Sequence, residues 1–330
     1  MSSATYRILV RELRRRASAG RAISPEMAIQ VLTTPREYLW DILSAASMMK
    51  RNYFDDHPLL CTIINAKSGA CPEDCAFCSQ SRHHSTGVPS YSLKPTVEIL
   101  RARDVSARLP VQHFGVVTSG RRLSRREVST LAEMIGSHPP KSPPAWCASL
   151  GALPEDELRE LKQAGLKRFH HNLETAASYF CQICTTHNFD DRVRTIQNAQ
   201  RAGLEICSGG ILGMGESLRQ RVELACTLHE LEVNSIPINF LIPLPGTRLQ
   251  SLSPIRPLEA LLAVAMFRLT NPRAEIKVCA GRVHLRDLQS LIFAAGANGM
   301  MIGDLLTVAG RNVAEDLQML RDLELLPDEE

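Results

Sequence analysis

The sequence predicts a (β/α)8 barrel, an α/β fold of the TIM type, with a helical extension in front of it. Eight short apolar, β-branched runs recur between residues 58 and 303, and amphipathic stretches long enough for helices separate them. The repeat fills roughly the 250 residues that such a barrel occupies. No G-x-G-x-x-G turn follows the first run, which argues against the rival doubly wound open sheet.

The first four strands are "PLLCTIIN" (58–65), "QHFGVVT" (112–118), "PAWCASL" (144–150) and "LKRFHHNL" (166–173). "LEICSGGIL" (204–212), "SIPINFLI" (235–242), "EIKVCA" (275–280) and "GMMIG" (299–303) complete the set. Between them, "SRREVSTLAEMIG", "PEDELRELKQAG", "DDRVRTIQNAQRAG" and "ESLRQRVELACTLHEL" carry helical periodicity. Several open near Ser, Asp or Pro and close on Gly, as capped helices do. The organisation read from this is a helical extension over 1–55, the barrel over 56–325 and a short tail over 326–330.

Within the extension, "SPEMAIQVLTTP" (24–35) begins on a Ser-Pro-Glu start signal. The first twenty residues are arginine-rich with one acid and no apolar h-region, which excludes a secretory signal. They read as a solvated helix or, alternatively, as an organellar transit peptide. Lys+Arg 38 against Asp+Glu 35 gives a formal charge of +3, too balanced for nucleic acid or a membrane surface as the main partner. No apolar run approaches the length of a membrane span. Ten cysteines without an export signal point to a reducing compartment, so the expected location is cytoplasmic, or an organellar matrix if the basic segment is a transit peptide.

Three of those cysteines stand in "NAKSGACPEDCAFCSQSRHH", where Cys71, Cys75 and Cys78 are spaced C-x3-C-x2-C. A polar loop has no core for them to fill. Structural zinc closes four positions, and His83 or His84 offers a fourth ligand, so zinc stays open beside an iron–sulfur cluster with one iron left free. In a barrel the active site lies at the C-terminal strand ends. Cys147, His170, Asn172, Glu174, Cys207, Asn239, Cys279 and Arg282 fall in or at the ends of the third to seventh strands, and strand thiols facing one cavity form a metal constellation. The plainer reading is packing. It is preferred for Cys61 and Cys226, away from the expected mouth, and for the isolated C-x2-C pair Cys181 and Cys184. Asn172 and Asn239 also have a plain reading as caps of strand ends.

The triplet, with Phe77 before its last cysteine, resembles the signature of the radical S-adenosylmethionine superfamily. That resemblance implies a [4Fe–4S] cluster on three thiolates, whose open iron takes the amino and carboxylate groups of S-adenosylmethionine and whose electron yields a 5′-deoxyadenosyl radical. From about residue 24 to 325 the chain is similar to the biotin synthase family, through "KSGACPEDCAFCSQS", "HHNLET", "CTTHNFDDRVRT", "CSGGILGMGE", "SIPINFLIPLPGT", "CAGR" and "AGANGMMIGDLLT". The family inserts sulfur into dethiobiotin, drawing it from an auxiliary iron–sulfur cluster. The resemblance further implies a flavodoxin- or ferredoxin-type reductant, iron–sulfur assembly proteins and a homodimer.

Carried over by residue, Cys71, Cys75 and Cys78 match the radical-cluster ligands. Asn172, Glu174 and Arg192 match the S-adenosylmethionine side, and Gly209, Ile211, Gly213 and Glu216 the glycine-rich strand beside the adenine. Asn172, Asn239 and Thr307 match substrate contacts, as does His170, where some relatives carry asparagine. Cys147, Cys207 and Arg282 match three auxiliary-cluster ligands. The family's fourth, a cysteine on the second strand, is Gly115 here, and Cys279 stands where a small non-thiol residue is usual. The expectation is an altered auxiliary cluster on Cys147, Cys207 and Cys279, either [2Fe–2S] or a sulfide-rich four-iron cluster; the rival is a broken site with Cys279 as filler. Competing functions are another radical enzyme of the subgroup, a maturase or mutase without sulfur insertion, and a non-catalytic iron–sulfur or zinc module.

Overall fold

The computed structural model describes residues 3–327 except Lys141 and Ala309; residues 328–330 of the expected tail lie outside the described residues. One parallel sheet is built from β1 (Leu59–Lys67), β2 (His113–Thr118), β3 (Ala145–Ser149), β4 (Arg168–His170), β5 (Glu205–Cys207), β6 (Gly210–Leu212), β7 (Ser235–Phe240), β8 (Glu275–Val278) and β9 (Gly299–Met301). Its order, β5-β4-β3-β2-β1-β9-β8-β7-β6, closes on itself because Cys207 of β5 pairs with Ser235 of β7. β5 and β6 are two halves of the single strand expected over 204–212, so the sheet has eight positions around a closed barrel. The break falls at Gly209, where a Cβ would lie 2.0 Å from the Pro237 carbonyl oxygen, so only glycine lets the two strands approach. All eight expected strands are present.

Three helices precede the barrel: α1 (Ser3–Ser18), α2 (Pro25–Leu32) and α3 (Leu39–Arg51). α4 (Thr96–Ser106), α5 (Arg125–Ser137), α6 (Glu155–Gln163), α7 (Ala177–Ile183), α8 (Phe189–Arg201), α9 (Leu218–Glu230), α10 (Pro257–Thr270) and α11 (Leu291–Ala294) follow the strands, and α12 (Val313–Asp322) comes last. The start signals read from sequence are used. Ser24 accepts from Met27 N, and Ser124, Asn188 and Ser217 each form a capping box. α1 is not the solvated helix expected. Tyr6, Leu9, Leu13 and Ala17 form one buried stripe at i, i+3 and i+4 spacing, within the same core cluster as the α10 residues. The arginines of α1 take the opposite face, where Arg15 and Arg16 both bond Glu12.

α10 is buried almost all round, which explains its continuous apolar sequence. Its Arg268 is fully buried, and its guanidinium donates to the carbonyls of Gly296, Asn271, Pro272 and Ala274 and to Asn298 Oδ1. A cation so enclosed is tolerable only because its donors are satisfied. The bond to Asn298 ties α10 to the floor of the barrel beneath β9. The opposite, C-terminal mouth is left to the loops.

Candidate active site

A cavity of about 430 Å³ opens at the C-terminal mouth and runs down the barrel. Its upper wall is the loop after β1. There Cys71 N donates to Gln80 O at 3.1 Å, Arg82 N to Cys71 O at 2.9 Å and Cys78 N to Cys75 O at 2.9 Å, folding the loop back on itself. Cys71, Cys75 and Cys78 all line the cavity as free thiols. Burial raises the Cys71 thiol and pushes Cys78 up to about 11, and a hydrogen bond with Cys184, together with burial, raises Cys75. Cys75 is buried and Cys71 and Cys78 are half-buried, so a metal bound here would have to displace their protons. His83 Nε2 bonds Pro72 O and His84 Nδ1 bonds Cys78 O, and neither ring lines the cavity. No histidine of the loop completes a zinc tetrahedron with the triplet.

Across from the triplet, Asn172 and Glu174 follow β4. Asn172 Oδ1 accepts from Gly209 N at 3.0 Å, its Nδ2 donates to Glu174 Oε2 at 3.3 Å, and its carbonyl accepts from Arg192 Nη1 at 2.9 Å. Arg192 Nη1 is also 3.6 Å from Glu174 Oε1. Glu174 sits at φ 69, a left-handed conformation costly for a side-chain residue. Backbone bonds hold it there: its N–H donates to Gly209 O and its carbonyl accepts from Ile211 N. The network places a carboxylate, an amide and a guanidinium in the cavity as a polar clamp. Asn172→Ala is expected to lower stability by about 1–3 kcal/mol, because Gly209 N and Glu174 both lose a partner; urea melts measure it.

Deeper down lies a ring of sulfur. Cys61, Cys147, Cys207 and Cys279 all line the cavity, and they come from β1, β3, β5 and the end of β8. Those are alternate positions of the eight, the arrangement by which four side chains form one layer inside a barrel. Cys61 was expected to be core filler; instead it alternates with the outward Leu60 and Thr62, lines the cavity and donates to Met300 O at 3.9 Å. The interaction between the paired buried thiols draws Cys61 down to about 6 and raises Cys279. Burial pushes Cys147 up to about 12. Burial also raises Cys207, but His170, whose Nδ1 is 3.3 Å from its sulfur, with Lys277 and Arg168, brings it below its ordinary value. His113 Nδ1, in the same wall, is buried without a hydrogen-bond partner. A multi-thiol site with cations beneath it fits an anionic iron–sulfur cluster.

Comparison with known proteins agrees with this geometry. Residues 66–227 match the radical SAM superfamily, and residues 237–326 match the biotin and thiamin synthesis associated domain. The chain is 49% identical to a biotin synthase of Maridesulfovibrio salexigens, covering 93% of this chain and 94% of that one. It is 44% identical to a biotin synthase of Citrifermentans bemidjiense over 96% of this chain and 97% of that one. This chain belongs to the biotin synthase family. It is a radical S-adenosylmethionine enzyme. Among solved structures, methylornithine synthase superposes with a TM-score of 0.82 at 17% identity, covering 96% of this chain and 97% of that one. The [FeFe]-hydrogenase maturase of Carboxydothermus hydrogenoformans gives 0.78 at 17% identity over 98% and 82%. Both show the shared barrel.

Measured against the biotin synthase pattern, some expected residues move. Arg282 does not line the cavity. It follows Gly281, which turns the chain at φ 75, and its guanidinium donates to Gln289 and to the fully buried Asp316 at 2.5 Å. Lys277 takes its place in the cavity, two residues before Cys279 and so on the same face of β8. Strand periodicity carried that signal: 277 and 279 share a face, whereas 282 lies beyond the strand. Arg282→Met is expected to lower stability by less than the about 3–5 kcal/mol of a fully unpaired buried charge, because Arg311 still pairs with Asp316 at 3.4 Å, while auxiliary iron per folded chain stays unchanged; urea melts and iron assay measure the two.

Glu216 is also removed from the cavity. Its carboxylate accepts from Gly213 N, Met214 N and Arg221 Nε, so it shapes the glycine-rich turn from behind. Of that stretch Ile211 lines the cavity, and Gly209 and Gly213 support it. Phe77 lines the cavity from an apolar cluster with Ile183 and Leu241. Asn239 spans β6 and the β8 end, donating to Gly210 O and accepting from Ala280 N, with its side chain at the cavity wall. Thr307 Oγ1 is 2.8 Å from Ser79 Oγ, linking the last loop to the triplet loop. Cys226 packs against the core as expected. Cys181 is exposed, but its partner Cys184 is buried beside Cys75.

Proposed function

We propose that this chain converts dethiobiotin to biotin with two iron–sulfur sites in one cavity, the lower held by Cys61, Cys147, Cys207 and Cys279. The ring of four thiols from alternate strands is the observation that carries it. Cys61 lies six residues before the end of β1 at Lys67, roughly 20 Å of strand below the triplet loop, which leaves room between the two sites for a substrate. When bound, the upper cluster supplies the electron that splits S-adenosylmethionine, and the lower one supplies sulfur.

The chain's own residues do the rest. Asn172, Glu174 and Arg192 orient the cofactor, and His170 and Asn239 offer polar contacts to a ureido-bearing substrate between the sites. The cavity's largely apolar wall excludes water from a carbon radical. Arg168 bonds both Glu205 and Glu275, and Lys277 bonds Glu275, so buried cations sit next to the thiols and offset the negative charge of a thiolate-bound cluster.

The altered ligand set follows from packing. A Cβ at Gly115 would lie 3.0 Å from Ile63 Cγ2, so Ile63 fills the space that the family's usual cysteine needs. Cys61 on β1, beside β2, and Cys279 at the end of β8 supply thiols instead. One thiol from each alternate strand suits a four-iron cluster with one thiolate per iron. The test is iron and acid-labile sulfide per chain, measured anaerobically in a Cys71→Ala, Cys75→Ala, Cys78→Ala variant. Near four irons supports this reading, near two returns the site to [2Fe–2S], and none removes the sulfur donor.

A second layer of this reading concerns partners. Reduction requires a low-potential donor of the flavodoxin or ferredoxin class, and loading both sites requires iron–sulfur assembly proteins. A homodimer is the family's expectation, and sedimentation of the holoprotein tests it.

A further inference from the structure

Three arginines from three loops close on the triplet loop. Arg82 follows the triplet, and its N–H donates to Cys71 O at 2.9 Å, so its side chain leaves the backbone beside Cys71. Arg121, in the loop after β2, brings its Nε to 3.9 Å from Oε1 of Glu73, two residues beyond Cys71. Arg248, in the loop after β7, donates from Nη2 to Asp74 O at 2.8 Å and to Ile183 O at 2.9 Å. All three residues are exposed.

No carboxylate pairs closely with this rim. Among the described residues Arg82 makes no ion pair, Arg248 bonds backbone carbonyls, and the Arg121–Glu73 contact is long. Glu73 itself is buried and held by Thr186 Oγ1, while the Asp74 carboxylate accepts from Thr185 and Thr186. The nearby Arg122 and Arg125 are by contrast paired, with Glu157 at 3.0 Å and Glu160 at 2.6 Å. Exposed cations without a close acid leave their field for an approaching anionic partner. Arg82 and Arg248 are placed by bonds to the backbone of the folded loop. The rim therefore suits a partner that meets the finished loop rather than one that fills it.

We infer that Arg82, Arg121 and Arg248 form the docking rim for an acidic one-electron carrier protein, which passes its electron to the cluster through the triplet loop. The inference rests on the proposed flavodoxin- or ferredoxin-type reductant and says where it binds. Electron tunnelling falls steeply with distance, so the carrier has to sit against the loop that holds the cluster. In the transfer the carrier is oxidised by one electron, the cluster is reduced by one, and no bond forms or breaks. Cations around the loop steer an acidic partner, raise its rate of encounter and fix its orientation, and salt screens the effect. A small reductant such as dithionite needs no oriented docking.

The test is anaerobic titration of the holoprotein with a flavodoxin, read by the flavin spectrum at low and at physiological ionic strength. The rim variant combines Arg82→Glu with Arg121→Gln; the control combines Arg7→Glu with Arg11→Gln, the same change of charge on exposed residues of α1. The rim variant is expected to bind about tenfold more weakly, with a flatter salt dependence, while the control matches wild type. Cleavage of S-adenosylmethionine driven by excess dithionite stays unchanged in both. Equal affinities in rim variant and control overturn the inference, as does salt-independent binding by wild type. Unchanged affinity with slower cluster loading also overturns it, because the rim then serves cluster delivery. If the rim variant loads no cluster, Arg82→Gln alone decides by the same comparison. Failure of the underlying reading looks different: wild type then neither binds nor is reduced by a flavodoxin or a ferredoxin, although dithionite still drives cleavage.

Discussion

Alanine at any one of Cys71, Cys75 or Cys78 is expected to bring 5′-deoxyadenosine formation down to the level seen without protein. The three thiols share one loop tied by the Gln80, Arg82 and Cys75 backbone bonds, and no other thiol or imidazole of that loop reaches the cavity in their place. Cys184 is the one neighbouring sulfur able to complicate the result, because it lies 3.8 Å from Cys75. Residual turnover in Cys75→Ala but not in Cys71→Ala would show that Cys184 takes over as ligand. Anaerobic single-turnover assay with dithionite and product chromatography measures all three.

Cys279→Ala is expected to separate the two half-reactions. Biotin formation falls to background, whereas reductive cleavage of S-adenosylmethionine continues, because the triplet and the Asn172–Glu174–Arg192 clamp are untouched. The reason is local: Cys279 is buried and lines the cavity with Cys61, Cys147 and Cys207. Removing it takes one corner from the proposed lower site. Cys226→Ala, in a thiol packed among helices outside the cavity, is the control and should keep both activities. If Cys279→Ala retains full biotin formation and auxiliary iron, the lower site is held by the other three thiols, and Cys279 reverts to packing.

Much of this molecule was legible before any coordinates. The recurring short apolar runs and capped helices specify a closed α/β barrel because each strand can bury its faces only against helices outside and side chains inside. The triplet was legible because three thiols in a polar loop have no packing role. Asn172, Glu174, Arg192 and Asn239, singled out by the family resemblance, all line the cavity.

What the chain's order did not reveal is which way residues face once the sheet closes. Cys61 looked like filler because a cysteine amid Leu and Ile is ordinarily packing; only closure of the barrel brought β1 beside β9, the neighbour of β8, and put that thiol in the cavity with Cys279. Arg282 looked like a ligand because it follows the strand closely, but the left-handed turn at Gly281 sends it to Asp316 and leaves Lys277 inside. Cys184 joined Cys75 across more than a hundred residues. The sequence alone determined the barrel, the triplet and the family, because these rest on local periodicity and spacing. The tertiary structure alone decided which thiols share the lower cavity and which thiol lies beside Cys75, because those depend on distances between strands and loops far apart in the chain.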